Sequence, residues 1–372
     1  MVEIREALTK KEQKRFLEFP NKLYKDNLYY VPPLYMDEVK IFRKDYVYYD
    51  TCEAVYYNAY KDGVMCGRIS GILQTAANKK NNEKRIRFTR FDAIDDLEVS
   101  KALFEAVENW GRKLGMDTIC GPLGFSDLER EGLLIDGFDQ LATFEEQYNA
   151  DYYQKHLEAL GYEKEVDWYE SQIRLPKEYD GYFHKMSDYI MKRYNLHWGE
   201  AKSVNDFIDK YLDKFFDLLD ESYDLLYGTV PFTDNMKKMM VSNFRMIIKL
   251  KYVGAVLDEN ENLVCLGICF PALSKAVQKS GGHLNPAALI RLLKARNHPE
   301  VLDFGLIGVK KEYLNRGVSA CIAKRVVDVM KEDRIEHAET NLNLEYNAAI
   351  RNLWKRFDAK EHKLRRAFVK KL

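Results

Sequence analysis

Residues 303–320 carry the pattern with the clearest chemical meaning in this chain: Asp303-Phe304-Gly305-Leu306-Ile307-Gly308-Val309-Lys310-Lys311-Glu312-Tyr313-Leu314-Asn315-Arg316-Gly317-Val318-Ser319-Ala320. An apolar strand runs into a short polar turn, and Gly317 opens a helix whose Val318, Ile322, Val326 and Val329 recur at helical spacing. At such a junction the first N–H groups have no partner inside the helix, and the helix dipole adds positive charge there, so an oxyanion such as a diphosphate is a natural ligand. Glycine lets the backbone approach that anion with no Cβ in the way. The competing reading is an ordinary strand-to-helix turn that carries glycine, and these residues taken alone do not separate the two.

Further along, Glu339 and Glu345 are carboxylates able to take a proton from an amine, directly or through water, and the phenol of Tyr346 adjoins Glu345. Each carboxylate reads equally as a surface or helix-flanking charge. In the first half, Arg68, Arg90, Asp136, Tyr148 and Asn149 are the candidates to line a substrate cleft, because a long Gly-rich stretch (Gly124, Gly132, Gly137) lies among them. Internal hydrogen bonding of that loop is the alternative. Asp95 and Asp96 stand at the start of a predicted helix, where carboxylates cap N–H groups and suit the dipole.

These residues must be positioned by a chain of 372 residues, enough for about two domains. A hydrophobic share of 46% with 31% charged residues is a globular balance. Lys+Arg and Asp+Glu are 58 each, which removes the bulk electrostatic argument for nucleic acid or an anionic membrane. The basic stretch 363–371 reads as an alternating strand with solvated charges. No apolar signal core or membrane-length run is seen. The six cysteines (52, 66, 120, 265, 269, 321) are scattered, and no His/Cys group has zinc spacing, so no metal is expected and a reducing cytoplasm fits.

In the first half the pattern predicts strand Val2–Ala7, helix Lys10–Tyr24, a hairpin of Ala54–Tyr60 and Val64–Leu73 across Asp62-Gly63, and a polar loop at 78–84. Strand Arg85–Ile94, helix Leu97–Leu114, strand Thr118–Leu123, an irregular 124–150, helix Asp151–Leu160 and strand Asp167–Leu175 follow. After Pro176 the order restarts: helix Lys185–Arg193, strand Asn195–Ala201, helices Val204–Tyr227 and Phe232–Ile248, and a hairpin of Lys249–Leu257 with Leu263–Pro271. Then come helix Pro286–Arg296, strand Leu302–Val309, helix Gly317–Glu332, strand Ile335–Leu342, helix Asn347–Phe357 and strand Lys360–Val369. The two halves repeat one order of strands and helices, which predicts two α/β (α+β) modules, 1–178 and 179–372.

The order strand, loop with Arg316-Gly317, helix, strand Glu339-Thr340-Asn341-Leu342, Asn347, helix, strand resembles the GNAT acyltransferases over roughly 250–372. Together with Phe91-Asp92-Ala93-Ile94-Asp95-Asp96, Gly121-Pro122-Leu123-Gly124-Phe125-Ser126, Glu131-Gly132-Leu133-Leu134-Ile135-Asp136-Gly137-Phe138 and Tyr148-Asn149-Ala150-Asp151-Tyr152-Tyr153, the chain is similar nearly throughout to a bacterial family of uncharacterised tandem GNAT-like proteins. The resemblance implies two modules, each a mixed, mostly antiparallel central sheet flanked by helices. It implies acetyl-CoA or another acyl-CoA as co-substrate, with Ile307, Gly308 and Val309 beside the pantetheine, Asn315, Arg316, Gly317, Val318, Ser319 and Ala320 at the pyrophosphate, and Asn347 on the cofactor arm. Leu314 and Ser319 depart from the family's loop. Trp354 stands where the family often has the tyrosine that protonates the departing thiolate, and indole is no useful acid. In the first half the matching loop is Ala93-Ile94-Asp95-Asp96-Leu97, whose carboxylates would repel phosphate, so that module is expected to have lost CoA binding.

Three functions follow. The first is N-acyl transfer from acyl-CoA to a small amine, in a cytoplasmic monomer or homodimer without nucleic-acid or membrane partners. The second is a non-catalytic acyl-CoA or small-molecule binding protein. The third is an aminoacyl-tRNA-dependent transferase, motivated by the tandem arrangement and opposed by the neutral charge.

Overall fold

The protein is described by a computed structural model covering residues 1–143, 145–224 and 226–372. Strand β1 (Val2–Glu6) leads into helix α1 (Lys10–Leu23), which Thr9 caps by accepting from the Glu12 N–H, and whose Phe16, Leu17 and Phe19 are buried. A single turn, α2 (Tyr35–Glu38), precedes the hairpin of β2 (Cys52–Lys61) and β3 (Val64–Gln74). Asp62 (φ 53°) and Gly63 (φ 77°) are both left-handed between them, as a two-residue turn matched to the strand twist requires. Next come α3 (Thr75–Asn81), β4 (Arg85–Ala93), α4 (Leu97–Lys113), β5 (Thr118–Gly121), β6 (Leu133–Asp136), α5 (Tyr153–Ala159) and β7 (Glu163–Arg174).

The order then restarts with α6 (Tyr182–Arg193), β8 (His197–Trp198), α7 (Val204–Tyr223), α8 (Asp234–Ile247), β9 (Val253–Leu257) and β10 (Leu263–Pro271). After α9 (Ser274–Gln278) and α10 (Pro286–Asn297) come β11 (Val301–Val309), α11 (Ser319–Glu332), β12 (His337–Glu339), β13 (Asn343–Leu344), α12 (Ala348–Trp354) and β14 (Asp358–Lys371). Two compact units result, neither a single stretch of chain. The first comprises 1–168, 274–291 and 363–372, and the second 169–273 and 292–362.

In the first unit the strands run β1-β2-β3-β4-β5-β14, antiparallel except for β4 and β5, with β6 beside β14. Helix α4 lays Val99, Leu103, Phe104 and Val107 on Ile69, Ile86 and Phe88. Asp96 caps α4, accepting from the Glu98 N–H at 2.9 Å and pairing with Lys61 at 2.7 Å, which is the capping role its position predicts. In the second unit the order is β8-β9-β10-β11-β12-β7, parallel only between β11 and β12. One sheet face packs on α6, α11 and α12 through Ile190, Ile322, Val326 and Trp354. The other packs on α7 and α8 through Phe215, Leu219 and Met240.

The units share a local plan. In each, a hairpin continues into a third strand with a bulge, and a helix leads on to a parallel fourth strand. The register slips between Arg68 and Ser70 opposite β4, and between Ile268 and Cys269 opposite β11. Two expectations are corrected. The stretch 78–84 is not all loop: α3 runs to Asn81, because the Gln74 side chain caps it at the Ala76 N–H and Asn82 closes it in the left-handed region. The stretch 124–150 holds strand β6, formed because Leu133 and Leu134 pair with Arg366 and Arg365 of β14.

Candidate functional site

In the second unit the parallel strands β11 and β12 pair only over Val301–Asp303 with His337–Glu339. Beyond that the β11 edge facing away from β10 is met by side chains. Asn341 Nδ2 donates to the Gly305 carbonyl (2.8 Å), Tyr223 Oη to that of Ile307 (3.3 Å), and Ser222 Oγ to that of Val309 (2.9 Å). Ser222 and Tyr223 end helix α7 and Asn341 follows β12, so two separated segments converge on one strand edge. Such an edge offers an added extended chain its backbone N–H groups, while its carbonyls already accept from these three side chains.

The strand delivers the chain to the loop before α11. There Asn315 (φ 60°) and Gly317 (φ 77°) are left-handed, and residues 314–317 are exposed. A Cβ on Gly317 would come within 3.2 Å of Ile190 Cδ1, so the position favours glycine twice over. Val318 begins the turn into α11 and is buried, as is Ala320, while Ser319 is the first helical residue. The Arg316 guanidinium lies over the rings of Tyr194 and Tyr313, 5.6 and 5.4 Å from their centroids, a positive group held beside the loop. Thus Ile307, Gly308, Val309 and 315–320 form one continuous run from strand edge to helix start. Asn347 caps α12, accepting from the Ile350 N–H.

Of the carboxylates, Glu339 is 9% exposed and is gripped by His362 Nε2 at 2.7 Å, His337 Nε2 at 3.2 Å and Gln172 Nε2 at 3.4 Å. It is the last residue of β12, where β11 and β12 part. Among the described residues, no group of His, Cys, Asp or Glu has the arrangement of a metal site. Glu345 and Tyr346 lie in the turn before α12, with Tyr346 exposed and its phenol raised by partial burial. Trp354 is 4% exposed, packs on Phe304 at 4.8 Å and donates from Nε1 to Asn343 Oδ1 at 2.7 Å. The indole is a core residue.

The first unit holds a cavity of about 150 Å³ lined by Arg68, Arg90 and Tyr148 among the expected substrate residues. Asp136 is exposed at the end of β6, and Asn149 is buried, clamping β6 through the Leu134 N–H and carbonyl. The cavity adds Glu38, Asp92, Glu129 and Arg130. Arg68 meets Asp92 at 2.8 Å, and Arg90 grips Glu38 with Nε and Nη2 at 3.0 and 3.2 Å. Burial alone would raise the Glu38 carboxyl, but Arg90, Arg130 and Arg68 outweigh it and hold it down at about 2. Burial pushes Asp92 up despite Arg68 and Tyr24. Glu38 and Arg130 give no sequence signal of their own, since they become partners only in the folded unit.

No family model matches the chain. Protein YghO of Escherichia coli strain K12 is 25% identical over 99% of this chain and 95% of that protein. A bacterial ceramide synthase of Caulobacter vibrioides is 25% identical over 82% of this chain and 79% of its own length. Among solved structures, a tandem GNAT protein from the clavulanic acid biosynthesis pathway superposes over 100% of this chain and 98% of its own, at TM-score 0.55 and 11% identity. A GCN5-related N-acetyltransferase from Sphaerobacter thermophilus does so over 100% and 95%, at TM-score 0.52 and 10% identity. The fold of this chain is that of the tandem GNAT proteins.

Proposed function

We propose that the protein is an acyl-CoA-dependent N-acyltransferase whose chemistry lies in the second unit. The observation that carries the reading is the parting of β11 and β12 after three residue pairs, directly before the loop in which Asn315 and Gly317 are left-handed. The residues suit the group: Ile307 and Val309 lie on an edge that can pair with an extended amide chain, and Arg316 and the helix start at Val318 and Ser319 suit a pyrophosphate, while the N–H groups of Arg316 and Ala320 already donate to the Tyr313 and Gly317 carbonyls. Acyl-CoA would supply an activated thioester there.

The chain's own residues then have defined tasks. The β11 edge orients the acyl group, and its amides polarise the carbonyl. Glu339, oriented by His337 and His362, accepts the proton of the incoming ammonium group, directly or through water. As the amide forms the thioester C–S bond would break, and Tyr346 or a water would give the departing thiolate its proton; Glu345, in the same turn before α12, is the alternative base. The acceptor is an amine. One relative is named a bacterial ceramide synthase, and because a ceramide is an amide of a long-chain amine, long-chain amines come first among acceptors to try, with fatty acyl-CoA beside acetyl-CoA.

Titration calorimetry of the full chain with CoA, acetyl-CoA and a long-chain acyl-CoA tests the reading: saturable binding weakened by Gly317→Ala is expected, and no binding of any of the three ends it. A second reading, a non-catalytic acyl-CoA binder, is favoured by the burial of Trp354 at the position of the missing acid. Release of free CoA in the presence of a panel of amines would exclude it.

A further inference from the structure

Helix α10 turns its large apolar side chains the wrong way for a helix that serves packing alone. Asn285 caps it, accepting from the Ala288 N–H at 2.8 Å, and Pro286 opens its first turn. Alanine, leucine, lysine and arginine fill most of the rest, so local propensity favours the helix. A surface helix ordinarily buries its leucines and isoleucines against the core. Here the one buried residue is Ala288, while Leu289 is 52% and Ile290 67% exposed. Leu293 is exposed as well, as are Pro286 and the preceding Leu284. At about 100° per residue, Pro286, Leu289, Ile290 and Leu293 form one stripe, opposite Ala288 and the half-buried Leu292 and Ala295. Lys294 flanks the stripe on one side and Arg296 on the other.

The charge of this stretch departs from that of the chain. Bases and acids number 58 each overall, yet no Asp or Glu stands between Glu261 and Glu300. That interval holds Lys275, Lys279, Arg291, Lys294 and Arg296. Lys249 joins them at the end of α10, donating to the Asn297 carbonyl at 3.4 Å. Burial and the nearby Arg296 lower the Lys249 ammonium against the pull of Asp333, as expected where cations gather. Among the described residues no ion pair ties Arg291, Lys294 or Arg296 to a carboxylate, and Nε of both arginines has no hydrogen-bond partner.

An apolar stripe bracketed by cations matches the layered chemistry of a lipid surface. Leucines enter the boundary of the acyl chains, and lysine and arginine reach back to anionic headgroups. A second copy of this chain fits less well. A two-fold contact on this face would bring Lys294 and Arg296 towards their equivalents, and α10 carries no acid to meet them. Among the described residues no helix is long and apolar enough to cross a membrane, so the contact argued for is one of lying on the surface.

We propose that α10 docks the protein on an anionic lipid bilayer, with Leu289, Ile290 and Leu293 at the acyl boundary and Lys294 and Arg296 at the headgroups. The docking goes beyond acyl transfer and does not rest on it. Where the acceptor is a long-chain amine, the same contact holds the protein at the layer in which such amines reside.

The test is sedimentation of the full chain with vesicles of phosphatidylcholine alone and of equal parts phosphatidylcholine and phosphatidylglycerol, at one ionic strength and without acyl-CoA or amine. The native chain should bind the anionic vesicles about tenfold or more tighter than the neutral ones. Ile290→Gln with Leu293→Gln should weaken binding to the anionic vesicles about tenfold or more. Lys294→Gln with Arg296→Gln should weaken it about tenfold and leave neutral vesicles unaffected. Val64→Gln, at an exposed apolar position where β3 begins, should bind as the native chain does. Circular dichroism and urea unfolding check that each variant is folded; should one pair fail to fold, the other decides. No native binding to anionic vesicles, equal binding to neutral ones, or as large a loss in Val64→Gln overturns the proposal. So does a native dimer that Ile290→Gln with Leu293→Gln turns into monomers, since the face then belongs between copies. None of these outcomes depends on acyl transfer.

Discussion

Trp354 donates its indole N–H to Asn343 Oδ1 at 2.7 Å, tying α12 to the short strand β13 at the edge of the second unit's core. The position at which the GNAT resemblance leads one to expect a phenol thus has a packing role. Trp354→Phe leaves the Asn343 amide oxygen without its donor and a gap beside Phe304, and should cost about 1–3 kcal/mol in urea unfolding. Affinity for acyl-CoA should stay as it was, which calorimetry reads directly.

Glu339→Gln removes a charge held by two imidazoles while keeping the shape of the side chain. If Glu339 takes the ammonium proton, transfer to an accepted amine should fall by about 10²–10⁴ with acyl-CoA binding unchanged. An equal loss in Glu345→Gln, with Glu339→Gln active, would move the role to the turn before α12.

Gly317→Ala puts a Cβ on a left-handed residue and against Ile190. The strain should lower stability by about 1–2 kcal/mol, and the displaced loop should weaken CoA binding more than the stability loss accounts for. Gly63→Ala supplies the control: its φ is the same and no atom lies within 4 Å of the added Cβ, so it should lose stability but leave CoA binding intact.

Burial pushes the Glu145 carboxyl up to about 7, with Arg130 pulling the other way. A carboxyl that holds its proton more tightly folded than unfolded weakens the fold as pH rises from the ordinary carboxylate range through 7. Above 7 both states are ionised and the loss is complete. The native chain should therefore lose on the order of 3 kcal/mol relative to Glu145→Gln between pH 4 and pH 8. Urea midpoints of the two proteins at both pH values check the sign.

Much of the architecture could be read from local signals. Asp62-Gly63 marks its hairpin because only a few residue types accept two left-handed positions in a row, and the Leu97–Lys113 helix announces itself by apolar spacing and an Asp cap. The 315–320 loop was legible for the same reason, as glycine next to a helix start. The Arg68–Asp92 and Arg90–Glu38 pairs were not, because their partners lie 24 and 52 residues apart and periodicity carries no record of which charge meets which. His337 and His362 carry no such signal either: singly they are unremarkable, and only the fold brings both to Glu339. Ser222 and Tyr223 sit on a helix whose existence was plain, but which strand edge its last turn reaches is settled by packing.

Residues 363–372 complete the first unit by lying beside β5, and Lys371 and Thr118, which touch at 2.8 Å, are 253 positions apart. A ribosome adding about 5–20 residues per second must therefore finish nearly all of the second unit before the sheet of the first can close. Until then the edge of β5 stands open, a surface on which other strands can pair. The order of synthesis and the order of completion run opposite ways in this molecule. Folding yield in the cell should accordingly be more sensitive to a stop codon near residue 362 than the modest length of the missing piece suggests.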